Sequence, residues 1–336
     1  MINKKTKFCK AAALLGAAVM MISALAGCGK NTKVVLTAGL KKNEVFRISS
    51  ASCVLPEVMV YLTNMQNQYE SVYGSQIWNA SDGQLSLEQE EREQVLTQLA
   101  RIKVMNLLAQ KKEVTLDDKE KERAAAAGRE YFTSLNSAEV TALNVTQDLI
   151  TKMYEEYALA EKVYQTIVEN VNPEVSDDEA RTITVDMIRV SDSAKASQVL
   201  GKAKEEGVDF ETLAQAESED QTVMQSFGKG EVSEALEKAA FNLGKDEISD
   251  VVESDGSYYI LKCISTFDEA QTKANKEKIV KQRQSEAFDT EYTAFEQTLV
   301  RQLNEELWDS VTMIHQDDVK TSSFFEVYQM YFQHQE

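Results

Sequence analysis

The sequence predicts an α+β protein in which N- and C-terminal segments form a helical module around an inserted α+β domain. Three observations predict it. Only Pro56 and Pro173 occur in 336 residues, so long helices run unbroken. Apolar residues recur at three- and four-residue steps over 87–168 and again after 268, the period of amphipathic helices. Between those stretches, residues 178–267 read as a strand, two helices, a glycine-bearing loop, a helix and two strands. That order describes a compact α+β domain within the usual size range.

The first elements are short strands at 34–36 and 45–48 around a turn at 39–42. A helix over 55–73 starts with Pro56 in its first turn. After a polar break at 79–84, a long helix over 87–111 carries Val95, Leu99, Ile102 and Leu108 on one stripe. Thr115 is placed to cap a charged, alanine-rich helix reaching 135, with Asp117 and Asp118 in its first turn. Residues 146–168 form the cleanest amphipathic helix, with Ile150, Met153, Tyr157, Tyr164, Ile167 and Val168 within one stripe. Its tyrosines read as core rather than as a ligand box.

The pattern changes after Asn172-Pro173. Ser176 to Glu179 has capping-box spacing, and 183–190 alternates like a strand. A helix over 193–206 ends at Gly207, a second covers 209–218, and a third covers 233–243 before Gly244. Residues 247–252 and 257–264 read as strands joined through Ser254-Asp255-Gly256. From 268 the chain is helical again, with Phe288, Tyr292, Phe295 and Leu299 on one stripe. A strand at 307–314 and an aromatic helix at 322–332 complete the chain. Neither helical flank buries its stripe alone, so the two are expected to pack together.

The N-terminus states where the protein works. Lys4, Lys5, Lys7 and Lys10 precede an apolar run over 11–24 that is too short to span a membrane. Leu25-Ala26-Gly27-Cys28 then resembles a bacterial lipobox, which implies acylation of Cys28 and a lipid anchor on the outer side of the cell membrane. The expected layout is a signal peptide at 1–27, a tether at 28–33, a helical module at 34–177, the α+β domain at 178–267 and a C-terminal helical segment at 268–336.

Formal charge is −19, and loss of 1–27 leaves 36 − 4 = 32 basic against 55 acidic residues, or −23. Such a surface excludes nucleic acid as a partner and leaves membrane attachment to the lipid. Cys53 and Cys263 stand in apolar segments and read as buried thiols. The only histidines are His315 and His334, no Cys or His cluster has metal-ligand spacing, and no metal or cofactor is expected. Phosphate-loop and nucleophile-elbow motifs are absent from the sequence. Acid pairs such as Glu155-Glu156 and Asp177-Asp178 read as solvated faces and first-turn charges.

The segment from Gly207 to Ala214, Gly-Val-Asp-Phe-Glu-Thr-Leu-Ala, resembles the G-x-D-F-x-x-L-A stretch of parvulin-type (PpiC) peptidyl-prolyl isomerases. Phe227-Gly228-Lys229-Gly230, the run from Leu236 to Phe241, and the segments 247–252 and 258–262 look like the loop, helix and closing strands of that fold. The likeness covers about 181–267. With the lipobox and the flanking helices, the chain resembles lipoprotein foldases of the PrsA and SurA type. That resemblance implies a chaperone whose partners are unfolded or partly folded exported proteins.

It also implies a site. The family's two histidines correspond to Met187 (Asp186 if the register slips by one) and Tyr259. The polar residue near the proline nitrogen corresponds to Asp220, and Ser254 supplies a nearby hydroxyl. The proline pocket maps onto Met224, Val232, Leu236 and Phe241. The glycine-rich turn expected before Phe227 is replaced by Thr222-Val223-Met224-Gln225-Ser226. No histidine precedes His315, so no realignment restores the pair. Peptide binding is therefore expected to outlast catalysis. Two alternatives are an active isomerase with an atypical site and a solute-binding lipoprotein. The long helices argue against the latter, which needs repeated strand-helix alternation.

Overall fold

A computed structural model describes residues 39–80 and 86–333. The strand expected at 34–36, the lipobox with Cys28, and His334 lie outside the described residues. The elements begin with β1 (Glu44–Ile48), β2 (Ala51–Val54), α1 (Leu55–Tyr73), α2 (Leu87–Lys111), α3 (Asp118–Ser134), α4 (Ser137–Leu143) and α5 (Gln147–Val168). They continue with α6 (Asp177–Ala180), β3 (Thr182–Val190), α7 (Ser193–Ala203), α8 (Phe210–Glu217), β4 (Met224–Gly228), α9 (Glu234–Phe241), β5 (Val252–Ser254) and β6 (Ser257–Ser265). The chain ends with α10 (Glu269–Glu296), β7 (Arg301–Leu303), α11 (Glu305–Asp309) and α12 (Phe324–Phe332). Two compact units result, Met1–Asn170 with Ser285–Glu336, and Val171–Gln284.

In the first unit, β1 is the centre of an antiparallel sheet in the order β2-β1-β7, where Phe46 pairs with Cys53 on one side and Leu303 on the other. A C-terminal strand therefore completes an N-terminal sheet. The helices α1, α2, α3 and α5 share one core with Phe288, Tyr292, Trp308, Phe324 and Tyr328 from the C-terminal segment. Fully buried Phe324 stacks on Tyr154 at 4.5 Å and meets Tyr131 edge-on at 5.3 Å. Gly128 allows α3 to approach α5, because a Cβ there would stand 2.3 Å from Thr151 Oγ1.

Polar side chains of α1 tie the returning chain down. Asn64 Nδ2 donates to Tyr131 Oη at 2.6 Å, while Asn64 Oδ1 accepts from Phe324 N at 3.0 Å. Gln66 Nε2 donates to Ile314 O, Asn67 Nδ2 to Thr321 O and Gln68 Nε2 to Ser322 O, at 2.8–2.9 Å. These amides satisfy the backbone of a segment that has no sheet or helix partner of its own.

The second unit is an antiparallel sheet in the order β4-β3-β6-β5. Alternation along β3 sends Ile188 and Val190 to one face, against Ala196 and Val199 of α7 and Phe210 and Ala214 of α8. Ile183, Val185 and Met187 go to the other face, against Leu236 and Ala240 of α9. The beginning of α10 belongs with this unit. Thr272 Oγ1 accepts from Thr182 N at 3.2 Å, and Asn275 Nδ2 donates to Ala180 O at 3.0 Å. The unit thus runs over 171–284, where the sequence led us to place it at 178–267.

Several elements differ from expectation. The helix expected from 115 is capped by Asp117, whose Oδ1 accepts from Glu120 N at 2.8 Å while Glu120 bonds back to Asp117 N. The supposed loop before Gly228 is β4, with Phe227 turned into the core opposite Ile183. Residues 247–252 form only a bridge, Ile248 to Lys262, before the short β5. The strand expected at 307–314 begins instead as α11, because Asn304 Oδ1 accepts from Leu307 N at 3.2 Å and caps a helical turn.

Candidate functional site

The candidate site lies on the α9 face of the second sheet. Register pairs Met187 with Leu261 and Arg189 with Tyr259, so these four side chains share that face. Met187, Leu236, Phe227, Leu261 and Cys263 are buried in one apolar cluster, and Val232, Phe241, Val252 and Tyr259 pack partly buried against it. The structure therefore brings together Met187, Tyr259, Val232, Leu236 and Phe241. Phe241 lies 6.3 Å from Phe227, with the Arg181 guanidinium over its ring at 4.8 Å.

Met224 stands apart. It is 61% exposed, and register places it opposite Asp186, on the face away from Met187. Asp186 is buried on that other face. Burial pushes its pKa up and Glu211 adds to the shift, while Lys262 opposes it.

Ser254 and Asp220 lie at polar edges of the site face. Ser254 is buried, and its Oγ lies 2.7 Å from Ser233 Oγ, either hydroxyl being able to donate, and 3.0 Å from Asp255 Oδ2, which can only accept. Ser233 in turn caps α9, accepting from Leu236 N at 3.4 Å. Asp220 accepts from Arg189 Nε at 2.7 Å. That bond raises the Arg189 pKa further, so its charge is permanent. Arg189 Nη1 also reaches Ser257 Oγ at 3.4 Å and lies 3.8 Å from Glu219 Oε2. The face thus passes from an apolar end at Ile183 and Cys263 to a polar end at Arg189, Ser257 and Ser254.

Sequence reasoning missed Arg189, Glu219 and Ser257. The available signal was a charged residue in the core phase of an alternating strand, two residues after Met187. The described cysteines, Cys53 and Cys263, are both buried free thiols, and burial raises the pKa of each. Among the described residues, no group of three or more His, Cys, Asp or Glu is placed to hold a metal ion. Among them, too, no helix is long and apolar enough to cross a membrane.

The sheet is covered on one face by α7 and α8 and on the other by α9, beside which Val232, Phe241 and Tyr259 stand only partly buried. Residues 145–278 match the family described as the PPIC-type PPIASE domain. Its relatives are PrsA foldases. Foldase protein PrsA of Streptococcus pneumoniae (strain Hungary19A-6) is 31% identical over 165 residues, which cover 44% of this chain and 53% of that one. The chain spans about half the length of the curated relatives it matches. Among solved structures, PrsA from Bacillus subtilis is 24% identical with a TM-score of 0.28, covering 71% of this chain and 91% of that one. A structure of the SurA-like chaperones PEB4 and Cj1289 of Campylobacter jejuni is 10% identical with a TM-score of 0.30, covering 78% and 99%.

Proposed function

We propose that the protein is a lipid-anchored extracytoplasmic foldase that binds unfolded exported chains, and that its PPIC-type domain grips client segments while turning prolines over poorly. The observation that carries this reading is the character of the two positions where the family places histidines. Met187 is buried and Tyr259 is packed against the same apolar cluster. Rotation about a peptide bond faces a barrier of about 18–20 kcal/mol. A catalyst must hold the twisted amide better than either planar form. Val232, Phe241 and Tyr259, partly buried beside Leu236, offer an apolar surface, which planar and twisted forms use alike, and such uniform binding does not accelerate rotation.

A coupled proline-peptide assay run beside suppression of client aggregation tests the reading. Suppression with turnover far below that of a histidine-bearing PPIC domain is expected. Full turnover that falls on Leu236→Ala would establish an active isomerase with an atypical site instead. The anchor rests on Leu25-Ala26-Gly27-Cys28, and Cys28→Ala is expected to move the protein out of the detergent phase. Retention of that variant in the detergent phase would remove the lipid from the proposal.

A further inference from the structure

The polar end of the site face is built more firmly than a surface ion pair needs. Ser218 Oγ accepts from both Arg189 N at 3.1 Å and Asp220 N at 3.2 Å, and Glu219 N donates to Arg189 O at 2.9 Å. The segment carrying Asp220 is thereby fixed to the end of β3. Arg189 and Asp220 are only part-buried, with side chains 27% and 35% exposed. Their mutual bond uses Nε and Oδ1, and Ser257 and Glu219 flank Nη1. Nη2 and Oδ2 make no hydrogen bond to any described residue, so a part-exposed pair keeps one strong donor and one strong acceptor unused.

We propose that Arg189 and Asp220 form a backbone clamp for an extended, uncharged peptide segment. Arg189 Nη2 donates to a client carbonyl, Asp220 Oδ2 accepts a client N–H, and an apolar client side chain rests on Leu236 and Tyr259. The charge around the clamp selects this occupant. Arg189 with Asp220 and Glu219 sums to −1, which repels an acidic side chain, while the guanidinium between the two carboxylates offsets part of their pull on a basic one. A neutral amide presents the matching donor and acceptor with no charge to desolvate. Charge-assisted hydrogen bonds are the stronger kind and here need no reorganisation, because both side chains are already held.

This clamp rests on the reading that the PPIC-type domain binds client segments, and the experiment separates the two. Fluorescence anisotropy with the full chain would use a terminally blocked, uncharged apolar peptide. Its counterparts are N-methylated one residue at a time, or carry an ester in place of one amide. Loss of a charge-assisted bond is expected to weaken binding about tenfold for the modification at the clamped amide. The same modification should cost nothing further in Asp220→Ala, and Arg189→Leu should weaken the parent peptide by a similar factor. Replacing one peptide residue with glutamate should weaken binding to the wild-type chain. If Leu236→Ala weakens binding while every modified peptide binds the wild type as the parent does, the clamp is wrong and the apolar site stands. If Leu236→Ala also leaves binding unchanged, the client site is elsewhere and the clamp falls with it. The modified peptides test the unmutated protein, so a variant that fails to fold does not decide the matter.

Discussion

The helical module and the PPIC-type unit bury polar groups differently. In the module, Lys103, Glu57, Asn64, Gln66, Asn67 and Glu91 all lie inside. Most of them join segments far apart in sequence, as when Asn64 reaches Phe324 and Lys103 reaches Glu57 and Glu156. In the PPIC-type unit the buried polar side chains are short, Thr182, Thr184, Asp186, Ser249, Ser254 and Thr272, while the longer charged groups such as Arg189 stay part-exposed. The difference teaches what each unit is sensitive to. A unit fastened by buried polar links fails when one partner is removed, because the other is left unsatisfied in a medium that penalises it. A unit held by apolar burial loses stability in proportion to the atoms removed.

The largest single-residue effect is expected at Lys103. It is 1% exposed, with Nζ 3.0 Å from Glu57 and 2.6 Å from Glu156. Burial alone would lower its pKa, but the two glutamates outweigh burial and raise it, so it is buried as a cation. Lys103→Met leaves two carboxylates uncompensated except by the exposed Lys152, and a loss of about 3–5 kcal/mol is expected. Both tryptophans of the sequence, Trp78 and Trp308, are buried in the module, so urea unfolding followed by tryptophan emission reads this unit alone. A loss under about 1 kcal/mol would mean the links are ornamental and would erase the contrast.

Glu91 sharpens the comparison through pH. It is 2% exposed, its Oε1 has no hydrogen-bond partner among the described residues, and burial raises its pKa to about 7. The folded state therefore keeps a proton that the unfolded chain releases at the ordinary carboxylate pKa of about 4.3. The stability this contributes is complete below that ordinary value and is lost as pH rises through about 7. Glu91→Gln is expected to match the wild type near pH 4 and exceed it by up to about 3 kcal/mol at pH 8. Parallel stability curves for the two proteins across that range would show that Glu91 does not titrate there.

The same contrast explains what could be read from sequence. The helices of the module announce themselves because Val95, Leu99 and Ile102, or Ile150, Met153 and Tyr157, repeat with the helix period. The run Asn64 to Gln68 carries no such signal, because a polar run on a helix looks solvated until the returning backbone of 314–324 is known. Likewise β7 is three residues long and owes its existence to β1. In the PPIC-type unit the joint spacing of Gly207 to Ala214, Phe227 to Gly230 and Leu236 to Phe241 made the apolar cluster around Leu236 legible. Its polar rim was not, since Arg189 and Asp220 meet through a fold that brings β3 alongside the segment after α8. β4 was missed because, of the five residues in Met-Gln-Ser-Phe-Gly, the core face gains chiefly Phe227.

The smallest expected effect is at Ser254, and it separates a structural hydroxyl from one serving the site. Ser254 Oγ bonds Ser233 Oγ at 2.7 Å, and Ser233 caps α9, the helix that carries Leu236. Ser254→Ala removes the bond to Ser233 and the one to the adjacent Asp255 carboxylate, which water can replace, while Ser233 keeps its capping role, so about 1 kcal/mol should be lost. That loss belongs to the PPIC-type unit, so far-UV circular dichroism should register it while tryptophan emission stays unmoved. If Ser254 acts only by holding the start of α9, client affinity in the absence of denaturant is unchanged, since about 1 kcal/mol leaves nearly all molecules folded. A fall in affinity at full folding would instead put its hydroxyl in contact with the client, and the rim would extend from Arg189 across β6 to β5.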